Sequence, residues 1–189
     1  MPVVFCFRKS EIIMDTNTLF KILQNAVAQM YHDAPSIATV AKLEDNCAAV
    51  IKANMRALCE NLGDFSIDFN YSHMMSPDGK HCAKKVPMGD GNIQSVKPDL
   101  VFHVRDKNEN NLMAIEIKGW WENDDKRWIK DEQKLCGYTD QSASNALKYS
   151  LGVFIALGKH EGHFVCFQAG HHVSTGDSVM DLYDKRSKL

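Results

Sequence analysis

Lys97-Pro98-Asp99-Leu100-Val101-Phe102-His103-Val104-Arg105 and Leu112-Met113-Ala114-Ile115-Glu116-Ile117-Lys118 are two apolar-rich stretches joined by the polar run 106–111. That run holds Asp106, Asn108, Asn110 and Asn111, residues that favour turns, so the pair reads as a β-hairpin. Setting Arg105 against Leu112 puts Asp99 opposite Lys118 and Val101 opposite Glu116. Side chains alternate along a strand, and paired residues point the same way. Asp99, Glu116 and Lys118 therefore share one face, while Leu100, Phe102, Val104, Met113, Ile115 and Ile117 share the other. A uniformly apolar face looks into a core. On the polar face, opposite partners stand ~5 Å apart and diagonal ones ~7 to 8 Å, so the Asp99 and Glu116 carboxylates can converge on one cation.

Two anionic oxygen donors with positions left for water describe a Mg²⁺ or Mn²⁺ site rather than a zinc site. Such an ion activates water and offsets charge on a phosphodiester. A lysine two residues beyond the second carboxylate, on the same face, can hold the attacking water or stabilise the phosphate. The ordinary alternative is that the three residues form the solvated face of an exposed hairpin. Against it stands the run 151–157, apolar at every position, which implies a sheet covered on both faces, where charges are costly unless used.

Working outward, residues 1–13 have no clear period. Asp15, Thr16 and Asn17 can cap a helix whose stripe is Leu19, Ile22, Leu23, Ala26, Val27 and Met30, ending before Pro35. A second, long helix is predicted after Ser36, with the stripe Val40, Leu43, Cys47, Val50, Ile51, Leu58 and Leu62 and with Gly63 as its terminator. Phe65, Ile67 and Phe69 alternate as a strand. Residues 72–95, rich in Pro, Gly, Asp and Lys, read as one long loop. After the hairpin, helices are predicted over about 123–138 and 142–149, then strands at 151–157 and 163–168. The order gives an α/β sandwich around one mixed sheet, a single domain over 14–170, with a polar C-terminal segment at 171–189.

Pro98-Asp99 followed by Glu116-Ile117-Lys118 resembles the PD-(D/E)xK signature of restriction-endonuclease-like nucleases. The element order over about 43–168 resembles their αβββαβ core, which would leave the N-terminal helix as an addition. Residues 64–71 and 147–155 look like those of small stand-alone bacterial members. The resemblance implies a Mg²⁺-dependent (or Mn²⁺-dependent) deoxyribonuclease, an endonuclease by this analogy, with Asp99, Glu116 and Lys118 catalytic. It implies metal ligation by Asp99, Glu116 and the Ile117 carbonyl, with Glu44 on the helix before the strands completing the site. Gln133 stands where some members carry a helix glutamine, although Tyr138 follows at a longer spacing than theirs.

Lys126, Lys130 and Lys134 recur every four residues beside Arg127 and can meet DNA phosphates. They equally fit a solvated face balanced by Asp124, Asp125, Asp131 and Glu132. Trp120, Trp121 and Trp128 either stack on bases or close the core. His103 shares the Asp99 face and reads as a packing or hydrogen-bonding residue rather than a ligand.

The 189 residues are 44% hydrophobic and 24% charged, enough for one ordinary domain with a core. A net charge of -2 argues against a surface that is basic throughout, so nucleic acid must be met by a local patch. The six cysteines include no C-x-x-C pair, which points to reduced thiols and away from zinc at His160 and His163. No apolar stretch approaches the ~20 residues of a membrane span, so a cytoplasmic protein that binds no membrane is expected. Two functions are open at this point: a DNA-cleaving enzyme, or a non-catalytic binding module that retains the fold. The N-terminal helix either packs on the domain or forms a homodimer interface.

Overall fold

The computed structural model describes residues 15–59, 63–88, 91–142, 144–173 and 176–188. Residues 1–13 therefore lie outside the described part. Asp15 caps the first helix, α1 (Thr16–Asp33), by accepting the Thr18 N–H at 2.9 Å. The predicted stripe from Leu19 to Met30 is at most 2% exposed and packs on the chain's own α3 (Glu44–Leu58), so this face is covered internally. Each such leucine or isoleucine contributes ~2 kcal/mol of burial. Between them lies the short α2 (Pro35–Thr39), with Pro35 in its first turn.

The long second helix predicted from the sequence is thus two helices. Lys42 has φ 67°, a left-handed turn that no continuous helix contains, and Val40 at the break is 51% exposed instead of joining a stripe. Leu62, at the far end of the predicted helix, lies outside the described residues.

After β1 (Phe65–Phe69), the predicted loop contains two small hairpins, β2 (His73–Met75) with β3 (His81–Ala83) and β4 (Lys85–Pro87) with β5 (Ile93–Ser95). Three-residue strands are too short to show a period. Then come β6 (Leu100–Val104), β7 (Met113–Gly119), α4 (Asp125–Thr139), β8 (Leu151–Leu157), β9 (Gly162–Gln168), β10 (His171–His172) and α5 (Val179–Lys185). The helix predicted at 142–149 is absent among the described residues, where Asn145 instead bonds the Gly137 and Asp140 carbonyls at 3.0 and 2.6 Å. The polar C-terminal segment includes a helix that the sequence reading did not predict. A Ser178/Asp181 capping box starts α5, and Val179 and Leu182 are buried beneath it.

Six strands form one sheet in the order β1-β6-β7-β8-β9-β10, with β7 and β8 parallel and every other neighbouring pair antiparallel. The fold is α/β with a mixed sheet. Leu100, Phe102, Met113, Ile115 and Ile117 form one core with α1, α2 and α3. Val101, Ala114, Phe154 and Val165 form the second with α4, α5 and Val86 of the β4–β5 hairpin. Among the described residues no helix is long and apolar enough to cross a membrane, and Cys47, Cys59, Cys82, Cys136 and Cys166 are free thiols.

The central hairpin pairs Leu100 with Ile115, Val101 with Ala114 and Phe102 with Met113, two residues away from the predicted register. The cause lies in the connection. Asp106 and Asn110 take positive φ, and the turn asparagines serve other segments: Asn108 exchanges bonds with the Met75 backbone, and Asn111 donates to Leu147 O at 2.6 Å. A slip of two leaves every side chain on its predicted face. Continued one step, the observed register sets Asp99 across from Glu116 rather than Lys118.

Gly137 lets α4 and the β4–β5 hairpin touch. A Cβ there would lie 2.7 Å from Pro87 O and 2.8 Å from the Val86 Cβ. Alanine raises helix propensity by ~1 kcal/mol, but overpacking against backbone costs ~1 to 3 kcal/mol. Gly137→Ala is expected to lower the melting temperature, and a higher melting temperature in the variant would show that the hairpin yields freely.

Candidate active site

On the sheet face covered by α4, β6 and β7 bring together the predicted residues and α4 adds three more. Asp99 is held from both sides at the start of β6. Its carbonyl accepts the Asn70 N–H at 3.0 Å, and its Oδ2 accepts the Ile117 N–H at 2.7 Å. Glu116, in mid-β7, is 1% exposed; its Oε1 accepts the Tyr138 hydroxyl at 3.0 Å and its Oε2 the Lys134 ammonium at 3.4 Å. Lys118, 7% exposed, donates to Ile117 O at 3.1 Å and stands 2.5 Å from Asp131 Oδ2. The second contact is an ion pair in poor hydrogen-bond alignment, since Asp131 Oδ2 has no well-directed donor. Lys134 closes the ring at 2.5 Å from Asp131 Oδ1.

Asp131, Lys134 and Tyr138 follow one another at helical spacing, and the burial of Trp128, Leu135 and Tyr138 turns this side of α4 toward the sheet. Lys134 is thereby removed from the outward basic row predicted for DNA and points into the carboxylates, while Lys126, Lys130 and Gln133 are exposed. Asp131 is likewise a buried member of the cluster and not a solvated counter-charge. The sequence signal for both was their i,i+3 spacing together with Tyr138, which is visible only once the apolar side of α4 is fixed.

The electrostatics follow from burial and crowding. Burial pushes the Asp99 carboxyl up to about 6, against the pull of Lys118 and of the Ile117 N–H. Glu116 is pushed well above the carboxylate range, first by burial and then by the charges of Asp131 and Asp99. Burial alone would lower Lys118 and Lys134; the surrounding carboxylates outweigh it, and both ammoniums are held more tightly than usual. Fully ionised, the three carboxyls would outnumber the two ammoniums by one; burial and crowding relieve that excess by keeping the proton on Glu116.

Glu44 starts α3, and its Oε1 accepts the Gly119 N–H at 3.0 Å, at the end of β7. It sits close enough to contribute to holding the Lys118 charge, but it makes no hydrogen bond to Asp99 or Glu116. Among the described residues no group of three or more His, Cys, Asp or Glu side chains stands together as a metal site. The oxygens available for a hard cation are those of Asp99 and Glu116 and the Ile117 carbonyl, and the last two are now touched by ammonium groups.

Trp128 is buried on Phe154, with ring centroids 5.2 Å apart, and Trp120 donates to Ala38 O at 3.1 Å, so both serve packing. His103 also turns away from the cluster: its Nε2 lies 3.1 Å from Asp68 Oδ2, and Arg105 binds the same carboxylate through Nε at 2.7 Å. Beside them Lys84, 2% exposed, donates to the Tyr149 hydroxyl at 2.8 Å and lies 4.6 Å from the Tyr71 ring centroid. Lys84 belongs to the stretch 72–95 that reads from the sequence as one long loop, yet it is buried. Compared with known proteins, the chain matches no family model, no curated protein and no solved structure.

Proposed function

We propose that this protein is a metal-dependent nuclease that hydrolyses DNA phosphodiester bonds at a PD-(D/E)xK-type site. The observation that carries the reading is the convergence of Asp99, Glu116 and Lys118 on one sheet face, where the atoms able to ligate a cation are all oxygens. The order α3, β1, β6, β7, α4, β8, with only β7 and β8 parallel, supports a restriction-endonuclease-like core into which two hairpins are inserted.

Asp99, Glu116 and the Ile117 carbonyl would hold Mg²⁺ or Mn²⁺, with Glu44 reaching it through water. When bound, the ion supplies an activated water and neutralises phosphate charge. Lys118 would then release Ile117 O and donate to the attacking water or a non-bridging phosphate oxygen. Tyr138 and Lys134 orient the Glu116 carboxylate, and Asp131 keeps Lys118 at the site. A non-catalytic DNA-binding module is the second reading, favoured by the tight Lys118–Asp131 pair, which occupies the lysine that turnover needs.

Purified protein with Mn²⁺ should nick supercoiled plasmid and degrade linear DNA. Complete inertness on duplex, single-stranded and branched DNA with metal bound would transfer the case to the binding module.

The metal has a separate readout. Because crowded carboxylates repel, a cation that binds only the folded state should raise stability by about 2.7 kcal/mol at a hundredfold excess over Kd. That corresponds to roughly 5 to 10 °C in melting temperature for a chain of this size. Asp99→Asn is expected to weaken the response while raising the metal-free melting temperature. A wild-type melting curve indifferent to both ions would contradict the proposed donor set.

A further inference from the structure

A groove of about 470 Å³ runs between the β4–β5 hairpin and the outer side of α4, and nothing in the catalytic proposal uses it. Lys126, Lys130, Gln94 and Gln133 line it with side chains that donate hydrogen bonds, and Met88, Ile93 and Ile129 give it apolar walls. No carboxylate lines it among the described residues. The neighbouring Arg127 is neutralised by Glu122, whereas Lys126 and Lys130 meet no carboxylate at ion-pair distance among the described residues. Ile93 is 73% exposed at the lip.

We propose that this groove holds a single strand of nucleic acid leading into the catalytic site, an inference that rests on the nuclease reading above. Charge selects a polyanion: two uncompensated ammoniums with amides beside them match successive phosphates. The apolar walls select a strand whose bases are unstacked. In a duplex the base faces are hidden, and only the sugar–phosphate edge would meet Ile93 and Ile129; a single strand offers each of them a base face. Placement ties the groove to the chemistry. Lys130 and Gln133 alternate along α4 with Asp131 and Lys134, so groove and carboxylate cluster occupy adjacent sides of the same helical turns. The hairpin's second strand leads through Val96, Lys97 and Pro98 directly to Asp99.

The test is fluorescence anisotropy with labelled oligo-dT and a labelled duplex of equal length, on the whole protein in EDTA so that no strand is cut. The Lys126→Ala/Lys130→Ala double variant should bind oligo-dT roughly tenfold more weakly, with the salt slope smaller by about 1.4, as two lost phosphate contacts require. Ile93→Ser should weaken oligo-dT roughly fivefold and the duplex little, since it removes only apolar contact. Lys21→Ala, on α1 across the sheet, serves as the control and should change neither. Unchanged oligo-dT affinity in the double variant overturns the proposal, as does an equal or greater loss on the duplex, which would make the groove a duplex surface. A parallel cleavage assay with Mn²⁺ on plasmid, single-stranded and branched DNA separates the two readings: wild type that cleaves any of them while the groove variants bind normally refutes the groove alone. Wild type that binds through the groove and cleaves none of them upholds the groove and refutes the nuclease. Wild type that neither binds nor cleaves refutes both.

Discussion

Lys118→Ala should reduce Mn²⁺-dependent cleavage by roughly 10² to 10³-fold while leaving the metal-induced rise in melting temperature nearly intact. The magnitude is that of deleting one preorganised donor to a developing charge in a site closed to water. Lys118 is suited to the part because burial has not cost it its proton: the Asp131 and Asp99 charges hold the ammonium above its ordinary range, so it can donate throughout neutral pH. Metal binding depends on Asp99, Glu116 and the Ile117 carbonyl, which the substitution leaves in place, and the carbonyl loses only the lysine's hydrogen bond. Removing the lysine also strands Asp131, 3% exposed, with Lys134 as its remaining partner. Breaking a buried pair in this way costs ~3 to 5 kcal/mol, so lost activity could reflect lost fold. The control is Lys118→Met with Asp131→Asn, which removes both charges and should recover most of the stability but none of the cleavage. Cleavage within tenfold of wild type in either variant would remove Lys118 from the mechanism.

The faces of the β6–β7 hairpin were legible in the sequence because they depend only on parity, and a slip of two residues preserves parity. The register itself was not legible. It depends on a connection whose asparagines bond Met75 and Leu147, far away in the chain. The same limit explains α4: a row of lysines every four residues does not reveal the helix's rotation, and only the burial of Trp128, Leu135 and Tyr138 decides that Lys130 faces out while Lys134 faces in. The split between α2 and α3 turns on one left-handed residue, Lys42, whose side chain carries no preference for that conformation. Gly79 and Gly91, at positive φ, mark the turns of the two inserted hairpins and were readable as turn signals; the strands they join were too short to read. For α5 the signals were present, a serine three residues before an aspartate and Val179 spaced three from Leu182, but the polar residues around them obscured the pattern.

Lys84→Met should make the protein more stable at pH 7, by ~1 to 3 kcal/mol, and should flatten its stability between pH 7 and 10. Replacing a buried charge by an apolar side chain of similar length relieves desolvation, while the Tyr149 hydroxyl loses its partner at a cost of ~1 kcal/mol. Burial pushes the Lys84 amine down from 10.5 to about 7, with only the charge of Asp68 opposing it. The groups around it give little help: Asp68 is committed to Arg105 and His103, burial keeps the His103 imidazole neutral to lower pH, and Tyr71 and Tyr149 offer rings and one hydroxyl. A base whose folded value lies below its unfolded value opposes folding wherever the unfolded chain holds the extra proton. Between about 7 and 10.5 the unfolded lysine is protonated and the folded one is not, so wild-type stability should climb with pH across that window by up to ~1.4 kcal/mol per unit from this residue. Below pH 7 both states are protonated and the penalty is full and constant. The difference between Lys84→Met and wild type should therefore be largest at and below neutrality and should shrink, or change sign, toward pH 10. Urea unfolding of both proteins at pH 7 and pH 9.5 measures it. A variant less stable than wild type at pH 7, or a gap identical at the two pH values, would mean that Lys84 holds its proton in the fold and that the aromatic rings of Tyr71 and Tyr149 stabilise it as a cation.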